Sequence, residues 1–321
     1  MKNIFLYLLI LVSISSQAQT IFTETITGTR QYFGATNQAK LEIRFATNNT
    51  SFQISKPLVI VEGFDSGLLG VENEFGENDL SSFLRQTDFN SGFNLPAEIN
   101  TFDIIYINFA NSRDFLQRNA FLVEDVIKWV NAQKVLSGST TPNVVLGQSM
   151  GGVLARYALR DLENMGVPHQ TSLYISHDAP HQGANIPTSV LYFARHMANQ
   201  FVNTPVGDFN INPNSGGAVS ISDLQKLIDA VGTQQLLTNN VSGNYSLNNN
   251  IHIAWIIELQ NMGYPQQTRN IALSNGNHCG NPQEFLPATP LFIISGDGKT
   301  SFLTDVIAAF LGPITGLVYV P

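Results

Sequence analysis

The stretch from Asn143 to Gly166 constrains this chain more than any other. Asn143-Val144-Val145-Leu146 reads as a short buried strand and is followed at once by Gly147-Gln148-Ser149-Met150-Gly151-Gly152. Leu154, Tyr157, Ala158, Leu162 and Met165 then recur on one helical stripe until Gly166 ends it. A strand that passes through Gly-x-Ser-x-Gly into a helix holds its serine on a sharp, strained turn, with no room for a Cβ two residues before or after. Ser149 is therefore the candidate nucleophile. The pattern alone is weak, and a plain strand-to-helix turn is the competing reading; the flanking strand and helix give the motif its weight.

The flanking segments extend the alternation. Ile21 to Arg30 and Lys40 to Phe45 alternate apolar and polar residues, as an opening antiparallel pair would. Pro57 to Val61 and Phe102 to Ile107 are short apolar runs, as expected of strands buried on both faces of a parallel sheet. Between Asp114 and Ala132, Phe115, Leu122, Val126, Ile127 and Val130 fall at helical intervals, with Arg118, Glu124, Asp125 and Lys128 assigned to the outer side. Thr171 to Ser176 is the next strand, and this order implies right-handed parallel crossovers. From Gly183 to Gln267 the composition turns to Asn, Gly, Pro and Ser, with helical patches near Thr188 to Gln200 and Ser222 to Val231. That stretch reads as an insertion over the sheet, either a lid or a loop-rich extension. Asn270 to Leu273 and Leu291 to Ile294 resume strand character, Ser301 to Leu311 is helical, and Leu317 to Val320 is a last apolar run. The fold class is α/β, a mostly parallel central sheet with helices on both faces.

Two loops fall on the same edge of that sheet as Ser149. Val59-Ile60-Val61-Glu62-Gly63-Phe64 ends a strand with a glycine, so the backbone N–H of Phe64 is expected to join that of Met150 in holding an oxyanion; a simple turn glycine is the alternative. Asp178, in Ser176-His177-Asp178-Ala179-Pro180-His181, follows the strand after the nucleophile helix and is placed to orient a catalytic histidine, with a turn role competing.

Gly-Gln-Ser-Met-Gly-Gly with a following Arg156-Tyr157, and Pro180-His181-Gln182-Gly183 after the next strand, resemble the lipase and GPI-inositol-deacylase-like serine esterases of the α/β-hydrolase superfamily over Lys56 to Asn185. The resemblance implies Ser149 as nucleophile and Gly63-Phe64 as half of the oxyanion hole. It departs at Glu62, where many members carry histidine. It also implies that His181 packs the pocket rather than serving as base. The base of such enzymes follows the last strand of the sheet, and here Pro321 ends the chain where that loop would start, so a histidine beyond Pro321 is one expectation. His278, in Asn275-Gly276-Asn277-His278-Cys279, is the internal candidate; His252 lies in an apolar stretch and reads as a core residue. Asp297 is the rival acid to Asp178.

The N-terminus carries its own message. Met1-Lys2-Asn3, the apolar run Ile4 to Ile14 and the small residues Ser16-Gln17-Ala18 form a secretory signal peptide over residues 1–18. The run is too short for a membrane-spanning helix, which takes about 20 residues. Residues 19–321 then form one α/β-hydrolase domain with an insertion at about 184–267, in a secreted or periplasmic protein without a transmembrane anchor. With 16 Lys+Arg against 24 Asp+Glu and no basic run, nucleic acid is not an expected partner. The single cysteine makes no intrachain disulfide. The Cys and His spacings match no zinc site, and neither metal nor cofactor is expected. The reaction expected is hydrolysis of a small-molecule or lipid ester through an acyl-enzyme; a noncatalytic binding module that keeps the fold is the alternative.

Overall fold

The computed structural model describes residues 20–65, 79–87, 98–198, 201–204, 207–210 and 221–274. The expected signal peptide, His278, Asp297, and the segments 291–294, 301–311 and 317–320 lie outside them.

Seven strands form the central sheet: β1 (Phe22–Thr27), β2 (Gln38–Arg44), β3 (Pro57–Val61), β4 (Asp103–Phe109), β5 (Asn143–Gln148), β6 (Thr171–His177) and β11 (Arg269–Leu273). Their order is β1-β2-β4-β3-β5-β6-β11. β1 and β2, and β2 and β4, pair antiparallel, and every pair from β4 to β11 is parallel. The expected opening pair and the parallel centre are thus both present, at nearly the expected boundaries.

Alternation sorts the central side chains to two faces. Val59, Val61, Ile105, Ile107 and Val145 join the larger core beneath helices α2 (Leu116–Ser137) and α3 (Met150–Asn164). Leu58, Ile60, Ile104 and Tyr106 face the other way and pack with Leu80 of helix α1 (Leu80–Thr87). Helices therefore cover both faces. α2 is a helix because Leu116, Ala120, Val123, Ile127 and Val130 recur at intervals of four and three, all fully buried. It stops at Gly138, whose φ of +70° lets its N–H return to the carbonyl of Val135.

Two assignments of side are corrected, one outer and one inner. Glu124 is 1% exposed, because Arg30 from the loop after β1 and Asp161 of α3 close over it. Met165 is 45% exposed and lies just past the end of α3, whereas Val153, Ala155 and Leu159 are buried with Leu154, Tyr157, Ala158 and Leu162. α3 is enclosed on its outer side by α7 (Asn250–Met262), a helix that its weak amphipathicity concealed. Between β6 and β11 the chain also forms α4 (Thr188–Ala198), the β7–β8 hairpin (Phe201–Thr204, Gly207–Asn210), α5 (Ile221–Asp229), α6 (Val231–Leu236) and the short pair β9–β10 (Asn240–Val241, Leu247–Asn248). The two expected helical patches correspond to α4 and α5. His252, on α7, is 6% exposed with Nδ1 2.8 Å from the carbonyl of Gln235, a core residue as expected.

Candidate active site

β5 ends at Gln148 and α3 begins at Met150, so Ser149 alone turns the chain, at φ +51° and ψ −123°. A residue with a Cβ in this region carries strain of about 1–3 kcal/mol, sustained only where the surroundings over-determine it. Here they do. The Ser149 N–H donates to the carbonyl of His177 at 2.8 Å, and the Ser149 carbonyl accepts from the N–H of Gly152 at 3.0 Å. A Cβ on Gly151 would overlap the carbonyl oxygens of Val61 and Glu62, and one on Gly147 would overlap the backbone of Gly151 and Gly152. Both glycines therefore exist because backbone meets backbone on each side of the serine. A strained serine between a central parallel strand and a buried helix is the signature turn of the α/β-hydrolase fold, and the chain has that fold.

The loop after β3 passes directly beside this turn. A Cβ built on Gly63 would stand 3.4 Å from both the Cβ of Ser149 and the carbonyl oxygen of Gln148. Phe64 is half-buried against the main core. Met150 supplies the first amide of α3, a donor with no intrahelical partner, at the positive end of the helix dipole. Of the two residues expected to hold an oxyanion, Met150 thus opens the helix after Ser149 and Phe64 follows the glycine that adjoins Ser149.

Asp178 follows the last residue of β6 at φ +49°, a second strained position on the same edge. Its N–H donates to the carbonyl of Leu273 at 2.7 Å, which ties it to the end of β11. The chain leaving β11 leads to His278 within five residues.

Among the described residues no histidine side chain hydrogen-bonds Ser149. His181 Nε2 lies 2.7 Å from the Ser176 hydroxyl, and its ring stands edge-on to Tyr264 at 5.5 Å. Burial, with the nearby Arg156 charge adding to it, lowers the His181 pKa to about 4, so the ring is neutral at pH 7. The ring is thus engaged by Ser176 and Tyr264; the resemblance implied a packing role for it. His169 engages the Thr171 N–H and Glu163, and His196 engages Tyr245.

The Arg156-Tyr157 pair has a clear structural task. Arg156 donates to the carbonyls of Leu259 and Gly263 at 2.9 and 2.8 Å and lies over the Tyr264 ring, closing the C-terminus of α7. Tyr157 donates to Glu258 of the same helix. Sequence reasoning passed over Glu62 as a mere departure from the family pattern. It is 1% exposed, and its Oε1 accepts the N–H of Phe109 at 2.6 Å. A lone acid at the end of an apolar strand, next to the loop glycine, was the available signal.

Among the described residues no group of His, Cys, Asp and Glu could hold a metal ion, and no helix is long and apolar enough to cross a membrane. No protein-family profile and no curated protein sequence matches the chain. Partial similarity exists to solved structures. The peroxisomal alpha-beta-hydrolase Lpx1 of Saccharomyces cerevisiae is 13% identical, with 82% of this chain and 85% of that one covered at a TM-score of 0.40. A fungal esterase of Rhizomucor miehei is 12% identical, with 81% and 75% covered at 0.39. Esterase Est22 is 16% identical at a TM-score of 0.34, and the chain covers 44% of its length. Likeness at that level carries no activity across, and the reading below rests on the geometry around Ser149.

Proposed function

We propose that this chain is an exported serine hydrolase that cleaves carboxylic esters, lipid esters foremost, through an acyl-enzyme on Ser149. The observation that carries the reading is the strained backbone of Ser149, over-determined by Gly147, Gly151 and the carbonyl of His177, next to the Gly63 loop and at the start of a buried helix. Such strain is retained where a reactive group must be presented.

In this reading the Ser149 hydroxyl attacks the ester carbonyl while a histidine takes its proton. The N–H groups of Met150 and Phe64 hold the oxyanion, and the histidine returns the proton to the departing alcohol. Water, activated by the same histidine, then releases the acid and restores the serine. His278 is the proposed base, with a histidine beyond Pro321 as the other source. Asp178 is the proposed acid, with Asp297 its rival. The bond from Asp178 to Leu273 supports the first pairing, because it sets the acid beside the strand end that leads to His278. The N-terminal pattern supports export to the periplasm or medium, and the apolar helices of the segment between β6 and β11 support a covered, lipid-accepting pocket.

The test is hydrolysis of short and long p-nitrophenyl esters, with fluorophosphonate labelling, by the chain from Thr20 and by its Ser149→Ala variant. Turnover and labelling that both vanish in Ser149→Ala are the expected result. Full-length protein that does neither would point instead to a binding module that keeps the fold.

A further inference from the structure

The loop that carries Gly63 and Phe64 is pinned at both ends, to the last residue of β4 and to the segment that follows it. On one side, Glu62 Oε1 accepts the N–H of Phe109 at 2.6 Å. On the other, the Ser112 hydroxyl accepts the N–H of Asp65 at 3.1 Å and donates to the Asp65 carbonyl at 2.8 Å. Both anchors are buried, Glu62 at 1% and Ser112 at 5% exposure. The second anchor has its own support: the Ser112 carbonyl accepts from Asn119 at 3.0 Å, and Asn119, fully buried on α2, is bonded in turn to Asn37. A loop of four residues held at its first and last members by buried hydrogen bonds has little freedom in between, and Gly63, one of the two residues in between, lies against Ser149.

We propose that Glu62 and Ser112 are positioning residues that clamp the Gly63–Phe64 loop so that its amide meets the oxyanion formed at Ser149. This rests on the reading of Ser149 as a nucleophile and goes beyond it, since it assigns a task to two residues that never touch substrate. Pre-set donors hold developing charge without reorganising, so a loosened loop loses the transition state and not the substrate. Glu62 can serve only if it brings no negative charge to the site. Burial, reinforced by Asp65 and Glu42, raises its pKa well above the usual carboxylate range, against the Phe109 N–H and Lys40, which lower it. Its Oε2 is buried with no hydrogen-bond partner among the described residues, as suits an oxygen that carries the proton. Glu62 thus supplies an acceptor to Phe109 in a setting whose burial disfavours a negative charge beside the loop.

The experiment measures ester kinetics and inhibition by a trifluoromethyl ketone, which adds to the serine and leaves an oxyanion, on full chain carrying Ser112→Ala, Glu62→Ala or Glu62→Gln. Ser112→Ala and Glu62→Ala should lower kcat roughly 10- to 100-fold with KM within about twofold, and weaken the ketone by the same factor. Glu62→Gln keeps a neutral acceptor and should restore kcat to within about threefold of the parent. Should Glu62→Ala fail to fold, Ser112→Ala decides. Folded Ser112→Ala with unchanged kcat and ketone affinity, or with a loss in KM alone, overturns the clamp. A parent protein that neither turns over ester nor binds the ketone instead removes the Ser149 reading, and the clamp with it.

Discussion

The Tyr157 hydroxyl donates to Glu258 at 2.7 Å while the Tyr157 ring stacks on Trp255 at 5.6 Å, so the helix that starts at Ser149 is tied to α7 by polar and apolar contacts from one side chain. Arg156 adds two bonds to the end of the same helix. Helix α3 is thereby enclosed between the sheet and α7.

Removing these ties should cost stability in proportion to what they leave unpaired. Tyr157→Phe deletes one buried donor and should destabilise by about 1 kcal/mol. Arg156→Ala strips two carbonyls of their donor and empties the space over Tyr264, so about 2–4 kcal/mol is expected. Urea unfolding of each variant measures both, and a smaller loss in Arg156→Ala than in Tyr157→Phe would contradict the assignment.

Gly151→Ala tests the elbow itself. The added methyl meets the carbonyl oxygens of Val61 and Glu62, which belong to the central strand and the loop beside Ser149. Relief requires β3 and α3 to part, so we expect a loss of at least about 2 kcal/mol and esterase activity reduced more than tenfold. Ala at Gly138, where nothing lies within 4 Å of the added atom, is the control; there only the φ of +70° opposes the change, at a cost of about 1 kcal/mol.

Glu124 makes stability fall as pH rises. Burial first, then the hydrogen bond and charge of Asp161, raise its pKa to about 8, with Arg30 and Lys128 pulling the other way. The folded state therefore keeps a proton that the unfolded chain releases near pH 4.5, and stability is lost between those values. His181, at about 4 when folded and 6.5 when unfolded, acts oppositely, its contribution lost as pH falls below 6.5. From pH 6.5 to 8 the Glu124 effect should show as a decline of up to about 1.4 kcal/mol per pH unit. Glu62, raised for the same reason, adds in the same sense. Denaturant unfolding across that range should find the slope flattened in Glu124→Gln.

His181→Gln separates packing from catalysis. The His181 ring is held by Ser176 and Tyr264 and makes no hydrogen bond to Ser149 among the described residues. The variant should retain activity within about tenfold of the parent and lose about 1–2 kcal/mol of stability. A drop as deep as that of Ser149→Ala would make His181 the base after all.

The elements around Ser149 were legible because they are short and strongly patterned. Pro57–Val61 is a strand with the expected bounds, since four consecutive apolar residues after a proline can be buried only between two layers of helix. Ser149 was legible because a strained turn that admits no Cβ writes its glycines into the sequence. α7 was not, because its residues are apolar on both sides: His252, Trp255 and Leu259 face inward while Ile253 and Ile257 are exposed, and periodicity vanishes. The burial of Glu124 was hidden for a related reason. Its position on α2 faces outward from the sheet, and only Arg30 and Asp161, distant in sequence, enclose it.

The sequence by itself determined the alternation of strands and helices, the place of the serine turn among them and the edge on which its partners emerge, because these follow from local periodicity and from the steric demands of a few glycines. Tertiary structure alone decided that Glu62 is a buried anchor and not a surface acid, that Ser112 closes the loop beside Ser149, and that His181 is held by Ser176. Each of those roles depends on which groups from remote strands come within hydrogen-bond distance and on how completely water is excluded around them, quantities that no local pattern encodes.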